Sequence, residues 1–553
     1  MRISSIIVTA ALITTASAYD NPLVHLDYAS LKGKYDSTYN LSYFRKIPFA
    51  SPPTGENRFR APQPPEAITS LYDTDQDFDM CPQRTVNGSE DCLYLGLFSR
   101  PWQKQGHGSN VQGLKEIQGK RPVLVVFYGG AFIQGSASFT IPPSSFPVLN
   151  ASTLNDYVVV YPNYRVNSLG FLPGKLMKES TRLDANTGLL DQQYALKWVS
   201  KYIHLFGGDP GNVTIWGQSA GAGSVVGQVL ANGRHGQPKL FKKALASSPF
   251  WPKMYEVDSL EAEGVFDTFV NLIGCASTTK ERNGKYGDEM VDCLKNVDLQ
   301  VIREASLNVS MMNRWTTSSY TWAPVIDGEF LVDGLSEIIS RGLKLETDFI
   351  WGMYNTHEGE NFVPPGLKID GGRDGYNSSL ESLHGWLEGF VPRLSKTQIR
   401  AVNDVYYPVV GSTEMIGEYN SSFVRAGLIY RDLVLACPAY WVASAASRNG
   451  YLGEYAISPA THGSDTIYWN RLNTLQKTNP VVYQGYAGAF ASFFQTGDPN
   501  AHKLTNSSES GVPLLKKTGE EFVIVDDGFE NIRIDQLKRR CNFWRKLGRQ
   551  IPV

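Results

Sequence analysis

Four short runs, Val123 to Tyr128, Tyr157 to Tyr161, Val213 to Trp216 and Phe349 to Met353, are apolar or aromatic at almost every position and show no polar alternation. Strands covered on both faces have this pattern, because neither side of the pleat meets water. Lys242 to Ala246 and Tyr451 to Ile457 are also strand-like. Between the second and third runs, Leu189 to Val199 carries its apolar residues at helical spacing and predicts a crossover helix. Strand, helix, strand in this order predicts an α/β fold with a large, mostly parallel central sheet and helices on both faces. Near the C-terminus, Asp535 to Leu547 reads as an amphipathic helix with Leu537, Cys541, Trp544 and Leu547 on one face. Residues 102–120, rich in Gly, Gln and Lys, separate two strands and predict an exposed loop. Repeats, low-complexity tracts and clear linkers are absent, which favours one large domain.

Composition narrows the classes. A chain of 553 residues has room for one large α/β domain. Its net charge of −2, spread without blocks, offers no basic field for nucleic acid or an anionic membrane. Residues 1–18 read as a secretory signal peptide: Met1-Arg2, an apolar core from Ile3 to Ile13, then Ala16-Ser17-Ala18 before Tyr19. The apolar run falls short of the roughly 20 residues that a membrane span needs. The mature chain is then residues 19–553, expected outside the cell. The six cysteines, Cys81, Cys92, Cys275, Cys293, Cys437 and Cys541, suit an oxidising compartment, but their spacing leaves every pairing open. None has the short paired spacing of a zinc site, so no metal is expected. Glycosylation sequons at Asn40, Asn87, Asn150, Asn212, Asn308, Asn377, Asn420 and Asn506 fit a secreted chain.

The chemistry starts at Val213-Thr214-Ile215-Trp216-Gly217-Gln218-Ser219-Ala220-Gly221, a buried strand that runs through Gly-x-Ser-x-Gly into a helix of small residues. This arrangement puts a serine on a sharp strand-to-helix turn with its hydroxyl clear of the backbone. Such a nucleophile needs a base, an orienting acid and donors for an oxyanion. Tyr128-Gly129-Gly130-Ala131 follows the Val123 strand, and the N–H groups of Gly130, Ala131 and Ala220 are the expected donors. Glu358 lies just past the Phe349 strand and is the candidate acid. The neighbouring His357 is an alternative base, but it comes too early for the chain order serine, acid, histidine. Of the eight histidines, His462 in Ser458-Pro459-Ala460-Thr461-His462-Gly463-Ser464-Asp465 is the best candidate.

These motifs resemble the type-B carboxylesterase, lipase and cholinesterase family of α/β-hydrolases. Ile47-Pro48-Phe49-Ala50-Ser51-Pro52-Pro53-Thr54-Gly55 is similar to the family's N-terminal signature. Glu90-Asp91-Cys92-Leu93-Tyr94-Leu95 is similar to its second, with Gly96 in place of the usual small polar residue. Asn163-Tyr164-Arg165-Val166, Phe206-Gly207-Gly208-Asp209-Pro210 and Thr496-Gly497-Asp498-Pro499-Asn500 are also family-like. The resemblance covers nearly the whole mature chain. It implies Ser219 as nucleophile, Glu358 as acid and His462 as base, and the disulfides Cys81–Cys92, Cys275–Cys293 and Cys437–Cys541. It implies no cofactor.

Departures from the family pattern bear on substrate. Many relatives have His-Gly-Gly-Gly where this chain has Tyr128-Gly129-Gly130-Ala131. Cholinesterases place Glu before the nucleophile and a Trp in a long first disulfide loop; here the residue is Gln218, and ten residues without Trp separate Cys81 from Cys92. That loop is also too short for a lipase lid. The expectation is a secreted serine carboxylesterase acting on small-molecule or lipid esters through an acyl-enzyme. The alternatives are a lipase for aggregated acylglycerols and a non-catalytic, cholinesterase-like adhesion protein. Phe250 and Trp251 are candidates for an acyl pocket, with core packing as the competing role.

Overall fold

The computed structural model describes residues 21–101, 121–152, 156–233, 238–276, 287–312, 321–406, 421–502 and 510–553. The expected signal peptide, the loop at 102–120 and the sequons Asn420 and Asn506 lie outside them. The framework is an 11-stranded sheet. Its strands are β1 (Lys34–Asp36), β2 (Leu41–Pro48), β3 (Tyr94–Ser99), β4 (Arg121–Phe127), β5 (Val158–Pro162), β6 (Gly208–Gln218), β7 (Lys243–Ser247), β8 (Phe349–Asn355), β9 (Asn449–Tyr455), β10 (Glu520–Val525) and β11 (Gly528–Arg533). They lie in the order β11-β10-β9-β8-β7-β6-β4-β5-β3-β2-β1. From β5 across to β10 all neighbours are parallel. The flanking pairs are antiparallel. Leu23–His25, Ser30–Lys32 and Leu71–Asp73 form a separate three-stranded sheet.

Side chains alternate across the pleat, so each parallel strand feeds two cores. Val123, Val125 and Phe127 of β4 face one core together with Ala244 and Ala246 of β7. Leu124, Trp216, Leu245 and Trp351 face the other. Helices α1 (Thr187–Tyr202) and α2 (Ala220–Ala231) pack into the first core, with Leu189, Leu196, Val225 and Val229 among the buried residues. On the second face, Phe490 and Phe494 of a helix at Pro480–Thr496 meet Trp216 with ring centroids 5.7 and 5.2 Å apart. This is the layering that the doubly apolar runs predict.

Buried ion pairs fasten the loops between strands. Arg165 grips Asp191 of α1 through Nε and a terminal nitrogen at 2.8 and 2.7 Å. Burial pushes the Asp191 carboxyl up, and Arg165 opposes that. Arg58 holds Glu90 in the same two-pronged way at 2.7 and 2.6 Å. Asp432 sits in a π-helical turn, Asp432–Ala436, and accepts from Arg431 at 2.8 Å, Arg540 at 2.5 Å and the Tyr406 hydroxyl at 2.9 Å. Burial alone would raise the Asp432 carboxyl, but Arg540 and Arg431 hold it below its usual range.

Three disulfides join Cys81 to Cys92, Cys275 to Cys293 and Cys437 to Cys541. The last spans 104 residues and ties the C-terminal helix (Asp535–Lys546) to the segment just after Asp432. Among the described residues, no helix is long and apolar enough to cross a membrane. Of the described sequons, Asn40, Asn87, Asn150, Asn308 and Asn377 are exposed, whereas Asn212 is partly buried and its Oδ1 accepts from Lys243 Nζ at 2.5 Å.

Replacing Cys437 and Cys541 together by Ser is expected to cost about 4–5 kcal/mol in the chain-entropy description of so long a loop. Urea unfolding of both forms measures it. An unchanged midpoint would mean that the Asp432–Arg540 pair holds the helix without help.

Candidate active site

Strand β6 ends at Gln218 and α2 begins at Ala220, which leaves Ser219 alone to turn the chain. It does so at φ 59° and ψ −128°, a conformation that side-chain-bearing residues rarely adopt. Three backbone hydrogen bonds hold it there: Ser219 N–H to Ser247 at 3.0 Å, and Gly223 and Phe250 N–H to the Ser219 carbonyl at 2.9 Å each. Gly217 and Gly221 are required by contact. A Cβ on Gly217 would lie 2.3 Å from the Gly221 carbonyl carbon, and one on Gly221 would lie 2.2 Å from the Phe127 oxygen.

Two other strand ends converge on this turn. Glu358 opens a short 3-10 turn, Glu358–Phe362, beyond β8, and His462 lies in the loop after β9. The Ser219 Oγ is 2.8 Å from His462 Nε2, and His462 Nδ1 is 3.0 Å from Glu358 Oε2. Glu358 is fully buried, while the His462 side chain keeps 13% exposure. With the carboxylate accepting at Nδ1, the ring proton sits there and Nε2 is left to accept from the serine hydroxyl.

Residues that sequence reasoning missed fix the histidine. Asn361 Oδ1 accepts from the His462 N–H at 3.0 Å, and the Phe362 ring stands edge-on to the imidazole at 5.0 Å. Asn355, at the end of β8, donates to the Thr461 carbonyl at 2.8 Å and to Asp465 at 3.2 Å. Asp465 also accepts from Trp469 Nε1 at 3.0 Å. Burial pushes the Asp465 carboxyl up, against the hydrogen bonds from Trp469 and Asn355; Glu358 adds repulsion and His462 attraction. His357 does not join the group: its Nδ1 pairs with Glu360 at 2.9 Å on a more exposed side.

The turn after β4 packs directly against the elbow. A Cβ on Gly129 would lie 2.5 Å from the Gln218 oxygen and 3.0 Å from Ser219 Cβ. Gly130, Ala131 and Phe132 all take positive φ, at 125°, 56° and 60°. The N–H groups of Gly130, Ala131 and Ala220 donate to no partner among the described residues. Ala220 also opens a helix, where unpaired N–H groups and the helix dipole favour negative charge. Tyr128, which stands where many relatives have histidine, stacks on Tyr164 at 4.0 Å and accepts from its N–H at 3.2 Å, while the Tyr164 hydroxyl donates to the Tyr128 carbonyl at 2.5 Å. On the other side, Gln83 from the short Cys81–Cys92 loop exchanges two hydrogen bonds with Gly135, at 2.9 and 2.8 Å. The turn is braced at both ends.

Both pocket candidates are buried in the core. Phe250 also lines a cavity of about 290 Å³, and the Trp251 backbone N–H is bonded to the Val434 carbonyl at 3.0 Å. No group of His, Cys, Asp and Glu among the described residues could hold a metal.

Gly129→Ala must displace either the turn after β4 or Ser219. Turnover of a chromogenic ester is expected to fall about 10²–10³-fold, the loss typical of one misplaced oxyanion donor. Steady-state kinetics of the folded variant, checked by circular dichroism, reads this; near-normal kcat would show that the turn gives way harmlessly.

A model described as the carboxylesterase family matches residues 20–544. The chain is 25% identical over 582 residues to carboxylesterase patB of Aspergillus clavatus, covering 96% of this chain and 97% of the relative. It is 28% identical over 475 residues to a secreted lipase of Arthroderma benhamiae, covering 83% of each. Among solved structures, EstA of Aspergillus niger superimposes with a TM-score of 0.77 at 26% identity, over 97% of this chain and 99% of that one. A PNB esterase shares the fold with a TM-score of 0.69 at 23% identity, over 95% of this chain and 100% of that one. With the family match running through almost the whole sequence, this chain belongs to the carboxylesterase family and is a carboxylic ester hydrolase of the α/β-hydrolase fold.

Proposed function

We propose that hydrolysis proceeds through an acyl-enzyme on Ser219. The observation that carries this reading is the unbroken chain from Ser219 Oγ to His462 to Glu358, at 2.8 and 3.0 Å. His462 Nε2 takes the hydroxyl proton as Oγ attacks the ester carbonyl. Glu358 orients the ring and stabilises the imidazolium. The N–H groups of Gly130, Ala131 and Ala220 receive the oxyanion in a site that costs no reorganisation during the reaction. His462 then protonates the leaving alcohol, and the same base activates water for deacylation. No cofactor enters the scheme.

The substrates we propose are dissolved esters of short to medium chain. The Cys81–Cys92 loop has ten intervening residues and is pinned to Gly135 through Gln83, so it does not serve as a sliding lid. Gln218 before the nucleophile, and the lack of a Trp in that loop, speak against a choline cage. We further propose export: residues 1–18 as a signal peptide, residues 19–553 as one catalytic domain, and glycans at exposed sequons. Three disulfides and the likeness to a secreted lipase support this.

Ser219→Ala should lower kcat on the order of 10⁴–10⁶-fold while the protein stays folded. An organophosphate should label the parent enzyme at Ser219 alone; labelling elsewhere, or an active variant, would sink the assignment. Soluble tributyrin and emulsified triolein separate esterase from lipase. A sharp rise of activity at the emulsion point would identify a lipase.

A further inference from the structure

The loop closed by Cys81 and Cys92 runs along the turn after β4 and is tied to it at several points. The Arg84 N–H donates to the Ile133 carbonyl at 3.4 Å. Asn167 bridges the two segments, with its backbone N–H on the Phe132 carbonyl at 2.8 Å and its Nδ2 on the Pro82 carbonyl at 3.2 Å. Gln83 engages both the N–H and the carbonyl of a single turn residue, Gly135.

Gln83 is 1% exposed, and its carboxamide fills every hydrogen-bonding position it has. Nε2 donates to the Gly135 carbonyl at 2.9 Å and to the Cys81 carbonyl at 3.0 Å. Oε1 accepts from the Gly135 N–H at 2.8 Å and from the Thr85 hydroxyl at 3.4 Å. Turning the amide over would set donor against donor and oxygen against two carbonyls, so its orientation is fixed. Gly135 passes this grip inward. Its φ is 120°, and a Cβ on it would lie 2.3 Å from the Gly129 carbonyl oxygen and 2.4 Å from the Tyr128 ring. A Cβ on Gly129, in turn, would lie 3.0 Å from Ser219 Cβ. The Gly130 carbonyl accepts from the Ile133 and Gln134 N–H groups at 3.0 and 3.1 Å, which folds the turn back on itself. Within it, Ala131 and Phe132 hold a positive φ that such residues rarely adopt. A backbone of this kind persists only where its surroundings over-determine it.

We infer that Gln83 is a positioning residue for the oxyanion donors and that the short Cys81–Cys92 loop is their brace. The inference rests on Gly130, Ala131 and Ala220 as the donors. Gln83 acts through Gly135 and Gly129, not by contact with the reacting atoms. Donors of this kind are effective because they need not reorganise as charge develops. A turn released from Gln83 therefore loses binding of the transition state and keeps binding of the ground state.

The test compares the intact enzyme with Gln83→Met, which keeps the length of the side chain and loses its hydrogen bonds. Active sites are first counted with an organophosphate taken to completion, so that kcat refers to labelled sites. Per site, kcat on 4-nitrophenyl butyrate should fall about 10- to 100-fold, with KM within about twofold of the parent. A trifluoromethyl alkyl ketone and its unfluorinated twin give the second readout. Ser219 Oγ adds to the activated carbonyl carbon, the C=O π pair moves onto oxygen as an oxyanion, and the hydroxyl proton passes to His462. The inhibition constant of the fluorinated ketone should rise by the factor that kcat falls, while that of its twin stays unchanged. A merely structural role would lower the melting temperature and the number of labelled sites. If kcat per site and the inhibition constant then match the parent, the inference is overturned. Gln83→Asn, one methylene too short to keep both bonds to Gly135, decides by the same readouts should Gln83→Met not fold. A parent enzyme that binds the fluorinated ketone no more tightly than its twin would remove the donor assignment, and this inference with it.

Discussion

The reactive edge depends on one close approach: the end of β6, the first turn of α2 and the end of β4 touch backbone to backbone. Gly221 lies against the Phe127 carbonyl, Gly217 against Gly221, and Gly129 against the Gln218 carbonyl. Any side chain at these positions would force the three segments apart. With them together Ser219 takes φ 59°. The strain of such a residue is about 1–3 kcal/mol, and the three hydrogen bonds at Ser219 and its carbonyl offset it. Parallel strands make the approach possible, because their carboxyl ends all open on the same edge of the sheet.

Holding Glu358 and His462 at that edge is a separate problem, since both sit on loops. The solution runs inward through buried charge. The C-terminal helix brings Arg540 beside Cys541, and Arg540 and Arg431 share Asp432. Arg431 then donates to the Thr356 carbonyl at 3.3 Å, two residues before Glu358, while the Thr356 hydroxyl reaches Glu454 of β9 at 2.8 Å. A covalent tether, an ion cluster and a strand end thus form one continuous support for Glu358. Burying so many charges is no gain over an apolar core, and removing one partner would strand the others. Their effect is to fix the position of a loop that few apolar contacts could fix.

The sheet's centre was legible because both faces of those strands are covered, so every position must be apolar. The antiparallel β1, β2 and β3 were not: β1 is a three-residue edge strand, and β2 and β3, though mostly buried, interrupt their apolar runs with Ser42, Arg45, Lys46, Gly96 and Ser99. Ser219, Glu358 and His462 could be chosen from chain order and strand ends, and the structure brings them within hydrogen-bond distance. Gln83, Asn355, Asn361 and Asp465 were invisible as supports, because a lone polar residue has no period and its partner is distant in sequence. Asp465 had a weak signal in its place three residues after His462. Phe250 and Trp251 show a further limit: both are buried in the core, and only Phe250 also lines a cavity.

Two buried lysines show how desolvation and backbone acceptors act together on a buried charge. Burial draws Lys243, like Lys253, down to about 7. Lys243 begins β7, at the end of the sheet remote from Ser247, and donates to the Phe494 and Gln495 carbonyls at 2.6 and 3.2 Å. Those carbonyls close the helix Pro480–Thr496, where the dipole favours a positive group. Because its folded value lies below the ordinary 10.5, the unfolded chain holds the proton more tightly, and stability contributed here rises as pH climbs from about 7 toward that value. Backbone acceptors fixed by a helix occupy Lys243 permanently. Lys253 is held in a comparable way, donating to the Phe390 carbonyl at the wall of a cavity of about 290 Å³.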